Sequence, residues 1–368
     1  SVAFTCAYAG NLRELASMIR LLENRSPGAE AELIEELQIL LNDDTGLFEN
    51  IEAKKKLLAS YTQRCRHRIS GRRIAVRLSE LAENLERKAD WLTGHLQNHE
   101  WIDGGTDEGW FNSYYDDHGR AVEGFFPNEV RMMLTGQVFS IMGNVASEQQ
   151  IRRIVNSADH YLYRKEIGGY RLNTNFHELK FDMGRMFGFA YGEKENGAVF
   201  SHMTVMYANA LYRRGFAKEG WKALKTLADT ALDFDTSRIY PGIPEYFRSD
   251  GRGMYHYLTG AASWFMMTMI TQVFGVRGQA GDLILAPQLM AEQFDEQGEA
   301  SVSLVFAGKN LEIIYENPNR KDSGTYTVFS AVCEGQQLPT DDLGHVIITR
   351  RILDTLSGDC HRVIVKLI

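Results

Sequence analysis

The stretch Ala261-Ala-Ser-Trp-Phe-Met-Met-Thr-Met-Ile-Thr-Gln-Val-Phe274 decides how the chain is read. It is apolar on nearly every side, yet too short for a bilayer, which takes roughly 20 apolar residues, and Ser263, Thr268, Thr271 and Gln272 interrupt it. A helix that is apolar all round is one that other layers cover. Gly275 and Gly278 end the run.

Downstream the period changes. From about Leu283 the sequence alternates in short runs, Ser301–Phe306, Leu311–Tyr315, Thr325–Phe329, His345–Ile348 and Arg362–Leu367, separated by Gly, Asn and Asp. Period-two alternation between such turns predicts antiparallel strands. Upstream, residues 11–100 read as helices throughout: Leu12, Leu15, Met18, Ile19 and Leu22 share one face behind a cap at Asn11. Leu33, Leu37, Leu40 and Leu41 form a second run, and Ile74 to Leu92 a third. Further helices are expected at about 130–141, 148–163, 197–214 and 218–232. The irregular stretches 98–128, 168–181 and 237–257, rich in Gly, Asp, Asn and aromatics, separate them. Loops of that length inside a domain usually carry function. Helix and loop in alternation suit a toroid of α-hairpins, with Ala261–Phe274 as an inner helix. Two domains are expected, residues 1–285 helical and 286–368 β.

Composition narrows the function. A net charge of −8 with scattered Lys and Arg excludes a nucleic-acid partner. Aromatics make up 11% of the chain, many of them beside Gly, Asn and Asp, a placement that suits stacking on sugars. Cys6, Cys65, Cys333 and Cys360 are far apart, so reduced thiols are expected, with no metal site and no disulfide framework. No signal peptide or membrane span is read, which points to the cytoplasm. Nucleotide loops, Gly-x-Ser-x-Gly elbows and zinc motifs are missing.

Three loops could carry chemistry. In Trp110–Asp117 a carboxylic acid sits among rings, where desolvation would raise its pKa toward that of a proton donor. The competing reading is an Asx turn at Asp116 or Asp117. In Lys194–His202, Glu195 could accept sugar hydroxyls and His202 could bind an oxyanion, with Asn196 as an N-cap. The alternatives are a dipole-stabilised carboxylate and a core histidine. In Gly251–Trp264, Thr259 and the Gly260 amide would make an anion corner at a helix start, or simply a capped helix.

The segments GWFNSYYDDHGRAVEG (109–124), RMMLTGQVFSIMG (131–143), GGYRLNTNF (168–176), FGFAYGEKENGAVFSHM (187–203), RIYPGIPEYF (238–247) and GRGMYHYLTGAASW (251–264) together resemble the C-terminal part of the inverting phosphorylases of glycoside hydrolase family 94. The resemblance implies a mainly α fold: an (α/α)6 barrel, incomplete on its N-terminal side, followed by a small antiparallel β-sandwich of jelly-roll type. It implies reversible, inverting phosphorolysis of β-1,2-linked gluco-oligosaccharides, with inorganic phosphate as co-substrate and no cofactor. One carboxyl then suffices, because phosphate is already an anionic nucleophile.

The family's Trp-Asn-Asp string is altered here to Trp110-Phe111-Asn112. The implied proton donor therefore moves to Asp116, with Asp117 its rival. Glu195, Trp110, Tyr115, Glu245 and Tyr255 are the implied sugar contacts, and His202, Thr259 and Gly260 the implied phosphate site. The family's members are much longer, and their N-terminal parts supply an arginine and several sugar contacts. The chain thus reads either as the C-terminal portion of such an enzyme, partnered by the rest of it, or as a truncated carbohydrate-binding relative. Many members form homodimers; oligomeric state stays open. A hydrolase on the same framework would need a water-activating base that the sequence does not display.

Overall fold

The computed structural model describes residues 1–42, 44–240, 242–257 and 260–368. Its chain packs as two units, Ser1–Trp101 with Gly143–Ser147, and Ile102–Met142 with Glu148–Ile368. The expected boundary near 285 falls inside the second.

In the first unit, helix α1 (Val2–Arg25) begins at a Ser1 cap rather than at Asn11. Two short-loop helices follow, α2 (Thr45–Glu49) and α3 (Ile51–Cys65), and then α4 (Leu78–His99). Helices α1 and α4 pack along their lengths. Ile19 meets Leu78, Leu81 and Ala82 in the core, and the pairs Arg13–Asp90 and Arg20–Glu86, both 2.8 Å, flank the seam. The buried side of α1 includes Cys6, Ala9, Ala16 and Ile19. Small residues let backbones approach, so the larger Leu15, Met18 and Leu22 stay exposed, contrary to the expected face.

The all-helical reading of 11–100 fails at two places. Glu30–Ile34 and Arg73–Arg77 are antiparallel strands in register Glu30↔Arg77 to Ile34↔Arg73, and Glu35–Leu41 is a 3-10 segment. Arg73-Ile-Ala-Val-Arg77 alternates with period two, and its burial alternates with it.

The second unit holds α5 (Leu134–Met142), α6 (Glu148–Tyr161), α7 (Ser201–Arg213), α8 (Ala217–Leu232), α9 (Phe234–Ser237) and α10 (Gly260–Thr268). Helix α7 packs against α5, α8 and α10, and Ser201, Thr204, Val205 and Tyr207–Tyr212 are all buried. The helix covered on all sides is therefore α7, not the Ala261–Phe274 segment. That segment is helical only to Thr268, continues as a π turn over Met269–Val273, and leaves Met266 65% exposed.

The irregular stretches are stitched together where α5 and α7 begin. Leu134 N–H donates to Leu172 C=O, and Leu172 N–H to Ala198 C=O. Val199–Phe200, Tyr246–Phe247 and Gly253–Met254 form a three-stranded sheet.

The C-terminal β elements begin at Val276. One sheet joins Val276–Gln279, Asp282–Leu285 and Val346–Ile348. The other orders Glu299–Phe306, Lys309–Glu316, His361–Leu367, Val328–Cys333 and Gln336–Gln337. Helix α11 (Arg350–Thr355) precedes the last strand. Contrary to an all-antiparallel expectation, Lys309–Glu316 and His361–Leu367 run parallel. The long return between them makes this pairing sterically free, as a tight hairpin could not. Among the described residues no helix is long and apolar enough to cross a membrane.

Candidate active site

The first loop is riveted to the start of α5. Gln137 Oε1 accepts from Phe111 N–H at 2.9 Å, and its Nε2 donates back to Phe111 C=O at 2.8 Å. Ser113 Oγ accepts from Gly136 N–H at 2.9 Å. Glu123, 5% exposed, holds both sides of the junction: Met133 N–H donates to Oε1 at 2.6 Å and Ser113 N–H to Oε2. Its chain neighbour Val122 and its hydrogen-bond partner Met133 join Phe176 and Phe187 in a compact apolar cluster. Burial pushes this carboxyl up to about 8, against the lowering effect of its hydrogen bonds.

Asp116 lies seven residues before Glu123 and behaves oppositely. Its Oδ1 accepts from His118 N–H at 2.9 Å and Arg120 N–H at 3.0 Å, an Asx-type knot. Its Oδ2 meets the Arg120 guanidinium at 2.8 Å through both Nε and a terminal nitrogen. The backbone hydrogen bond from Arg120 leads in holding its carboxyl below the usual range, and the guanidinium adds to it. The expectation of a raised pKa at this position is overturned: hydrogen bonds and a cation outweigh desolvation. Asp117 is exposed.

Trp110 also departs from its expected role. It is fully buried, its ring packed 5.0 Å from Phe125 and 5.8 Å from Tyr161. Its faces belong to the core and offer no sugar platform. Tyr115, by contrast, is 44% exposed.

Arg120 also reaches Asp182, at 3.5 Å. Asp182 stands on the 3-10 segment Phe181–Gly188. From the same segment Arg185 pairs with Glu195 at 2.7 Å. Asp116 and Glu195 are thus joined through two ion pairs carried by one short element.

The second loop is shaped by Asn173, wholly buried, whose Oδ1 accepts from Gly197 N–H at 2.8 Å and whose Nδ2 donates to Asn196 Oδ1 at 3.1 Å. Asn196 Nδ2 donates to Phe189 C=O at 2.8 Å. Asn196 is therefore a loop cross-link and not the expected cap; α7 starts at Ser201 with no side-chain cap. Gly197 sits at φ 73° against the Tyr191 ring, where a Cβ would come within 2.1 Å of a ring carbon. Glu195 Oε2 is buried without a partner.

Around Lys194 the sugar-contact candidates gather. Its ammonium lies 4.4 Å from the Tyr255 ring centre, and its pKa is raised by Tyr255 first and then by the charges of Glu245 and Glu195. Tyr255 holds a left-handed backbone, φ 58°, in the mouth of the third loop. The Glu245 carbonyl accepts from Ser201 N–H at 2.9 Å, which fastens this cluster to the start of α7.

His202 is the second residue of α7. Its ring packs on Gly260, so closely that a Cβ there would stand 2.9 Å from Cε1, and Trp264 flanks it at 5.6 Å. Its Nε2 is buried and unpartnered, as is Ser201 Oγ. Burial lowers the imidazole pKa, so the ring is neutral near pH 7. The starts of α7 and α10 thus meet at two unpartnered polar atoms, His202 Nε2 and Ser201 Oγ, and helix starts are places that receive anions. Thr259 lies outside the described residues, so Gly260 alone represents that pair.

The structure therefore gathers Glu195, Glu245 and Tyr255 at one cluster and His202 with Gly260 at the next. It ties Asp116 to the first through ion pairs and takes Trp110 out of reach. Glu123, Asn173, Asn196 and Ser201 were not read as site residues. A lone acid after Val122 or an asparagine in Arg-Leu-Asn-Thr-Asn carries no local signature of burial.

The glycosyl hydrolase 94 superfamily catalytic domain matches residues 74–275. Cellobionic acid phosphorylase of Neurospora crassa is 26% identical over 57% of this chain and 27% of its own length. The 3-O-β-D-glucopyranosyl-β-D-glucuronide phosphorylase of Paenibacillus borealis is 24% identical over 68% of this chain and 32% of its own. A cyclic β-(1,2)-glucan synthase of Rhizobium meliloti is 24% identical over 49% of this chain and 7% of its own. The chain spans about a third or less of the length of these relatives.

Proposed function

We propose, starting from the premise that this chain belongs to the glycosyl hydrolase 94 superfamily, that it carries much of the active site of an inverting glycoside phosphorylase. The observation that bears most weight is His202: a neutral, buried imidazole with an unpartnered Nε2, packed on the first residue of α10. Phosphate bound there attacks the anomeric carbon of a terminal glucosyl unit held near Glu195, Glu245, Tyr255 and Tyr115. The glycosidic C–O bond breaks, Asp116 gives its proton to the leaving oxygen, and the products are α-glucose 1-phosphate and a shortened glucan. The Arg120 side chain is 66% exposed. A sugar that displaces it removes one of the groups that keep Asp116 ionised, and the same sugar desolvates the carboxyl, so its pKa rises and it takes up from solvent the proton it then donates.

The substrate in this reading is a β-1,2-linked gluco-oligosaccharide. It rests on the motif resemblance and on the similarity to a cyclic β-(1,2)-glucan synthase. The helical part is read as belonging to an (α/α)6 barrel, the strands as a sandwich beside it, and the setting as a reducing cytoplasm, in keeping with four free thiols.

The test is phosphate dependence. The intact enzyme should release α-glucose 1-phosphate from β-1,2-glucan only with phosphate present, and Asp116→Asn should lower kcat by about 10²–10⁴ with little change in glucan binding. Equal sugar release without phosphate means hydrolysis and defeats the reading. Full activity in Asp116→Asn transfers the donor role to Asp117. The ionised Asp116–Arg120 pair favours one second reading, a carbohydrate-binding portion without turnover; glucan binding with no α-glucose 1-phosphate under any condition would establish it.

A further inference from the structure

At the far end of α7 from His202, roughly 15 Å along the helix axis at 1.5 Å per residue, lies a cavity of about 430 Å³. That volume is within the roughly 300–1,000 Å³ of small-molecule sites. Tyr212 and Arg213 line it from α7, Gln272 from the π turn, Arg277 from the strand Val276–Gln279, and Tyr326 and His345 from later in the chain.

Two buried polar atoms of its lining residues are not satisfied within the protein. Tyr212 is 1% exposed and its hydroxyl has no partner; Gln272 is 7% exposed and its Oε1 has none. Among the described residues neither Arg213 nor Arg277 has a carboxylate at ion-pair distance. Arg277 is half-buried, and its pKa is lowered by desolvation and then by the like charge of Arg213. The carbonyl end of α7 partly offsets Arg213, but Arg277 stands on a strand and has no such help. Tyr326 already donates to Pro287 C=O at 3.1 Å, and His345 is paired with Asp341 at 3.0 Å. Two neighbouring guanidinium groups in one cavity call for a dianion. An unpartnered amide oxygen and an unpartnered phenol call for further hydrogen-bonding groups beside the phosphoryl oxygens, and the several hydroxyls of a sugar supply more of them than the single O–H of hydrogen phosphate.

We propose that this cavity binds a phosphorylated monosaccharide, its phosphoryl group between Arg213 and Arg277 and its hydroxyls at Gln272 Oε1 and the Tyr212 hydroxyl. The site is separate from the His202 corner and does not depend on the reaction proposed there.

Calorimetric titration of the intact protein tests it, with glucose 6-phosphate, inorganic phosphate and glucuronate as probes. Glucose 6-phosphate should bind one site here, and Arg277→Gln should weaken it by about ten-fold or more, the loss of a charge-assisted hydrogen bond. Tyr212→Phe, which deletes one buried oxygen without disturbing the fold, should weaken it less. His202→Asn should leave it unchanged, and Arg277→Gln should leave kcat of any phosphorolysis unchanged. Wild-type affinity in both Arg277→Gln and Tyr212→Phe overturns the site. In His202→Asn, where the other corner no longer takes phosphate, inorganic phosphate binding as tightly as the sugar phosphate overturns the sugar contact, and tighter binding of glucuronate overturns the phosphoryl assignment. Loss of binding in His202→Asn places the ligand at the other corner and overturns the proposal as well.

Discussion

Glu123 keeps a proton that an ordinary glutamate has lost at neutral pH, because burial raises its carboxyl to about 8. Its ordinary value is 4.5. Below that value the folded and unfolded chains are both protonated, and the native contribution is fully present. Between there and about 8 the unfolded chain ionises while the native one does not, so stability falls as pH rises, by up to ~1.4 kcal/mol per unit. The thermal midpoint should therefore drop from pH 5 to pH 8. Glu123→Gln should flatten that part of the profile, while losing about 1–3 kcal/mol overall because an amide N–H would face a backbone N–H. Parallel profiles for the two proteins would refute it. Asp116 shows why such detail escapes a sequence. Both the raised-pKa reading and the Asx-turn reading were open for Tyr-Tyr-Asp-Asp; what decides is Arg120, four residues on, whose backbone N–H first and guanidinium second turn back to the carboxylate, a direction no string reveals.

Among the elements, α7 and α10 exchange the roles that hydropathy suggests. Ala261–Phe274 looks more deeply buried, but Tyr207, Asn209 and Tyr212 make α7 look amphipathic while three neighbouring helices cover it. Hydropathy reports side-chain chemistry, not how many partners surround an element. The starts and ends of α6 and α8 were legible because their 3.6-residue period is strong and polar turns bound them. The pairing of Glu30–Ile34 with Arg73–Arg77 was not, since each strand answers a partner some forty residues away. The close seat of His202 on α10 gives a prediction at this scale. Gly260→Ala puts a methyl 2.9 Å from the imidazole, so the ring or the helix start must shift. The KM for phosphate should rise about ten-fold, the loss of one charge-assisted contact, with the KM for glucan little changed. Unchanged phosphate kinetics would remove the corner from the site.

Across the whole molecule, the mainly helical character and the late strands were legible, whereas the parallel pair was not, because it is set by long-range contacts. The strand His361–Leu367 lies in the interior of its sheet, between Lys309–Glu316 and Val328–Cys333, with Val363, Val365 and Leu367 buried. A chain stopped after Cys360 should lose cooperative melting of the β region and expose apolar surface to a fluorescent dye. Native melting in that truncation would contradict the central placement. Leu311 pairs with His361, fifty residues onward. Synthesis therefore delivers this middle plank after both of its neighbours: while the ribosome is still making it, Leu311, Ile313 and Tyr315 wait with one flank open. During that interval the open flank is an unpaired strand edge, the kind of surface on which nascent chains misassemble.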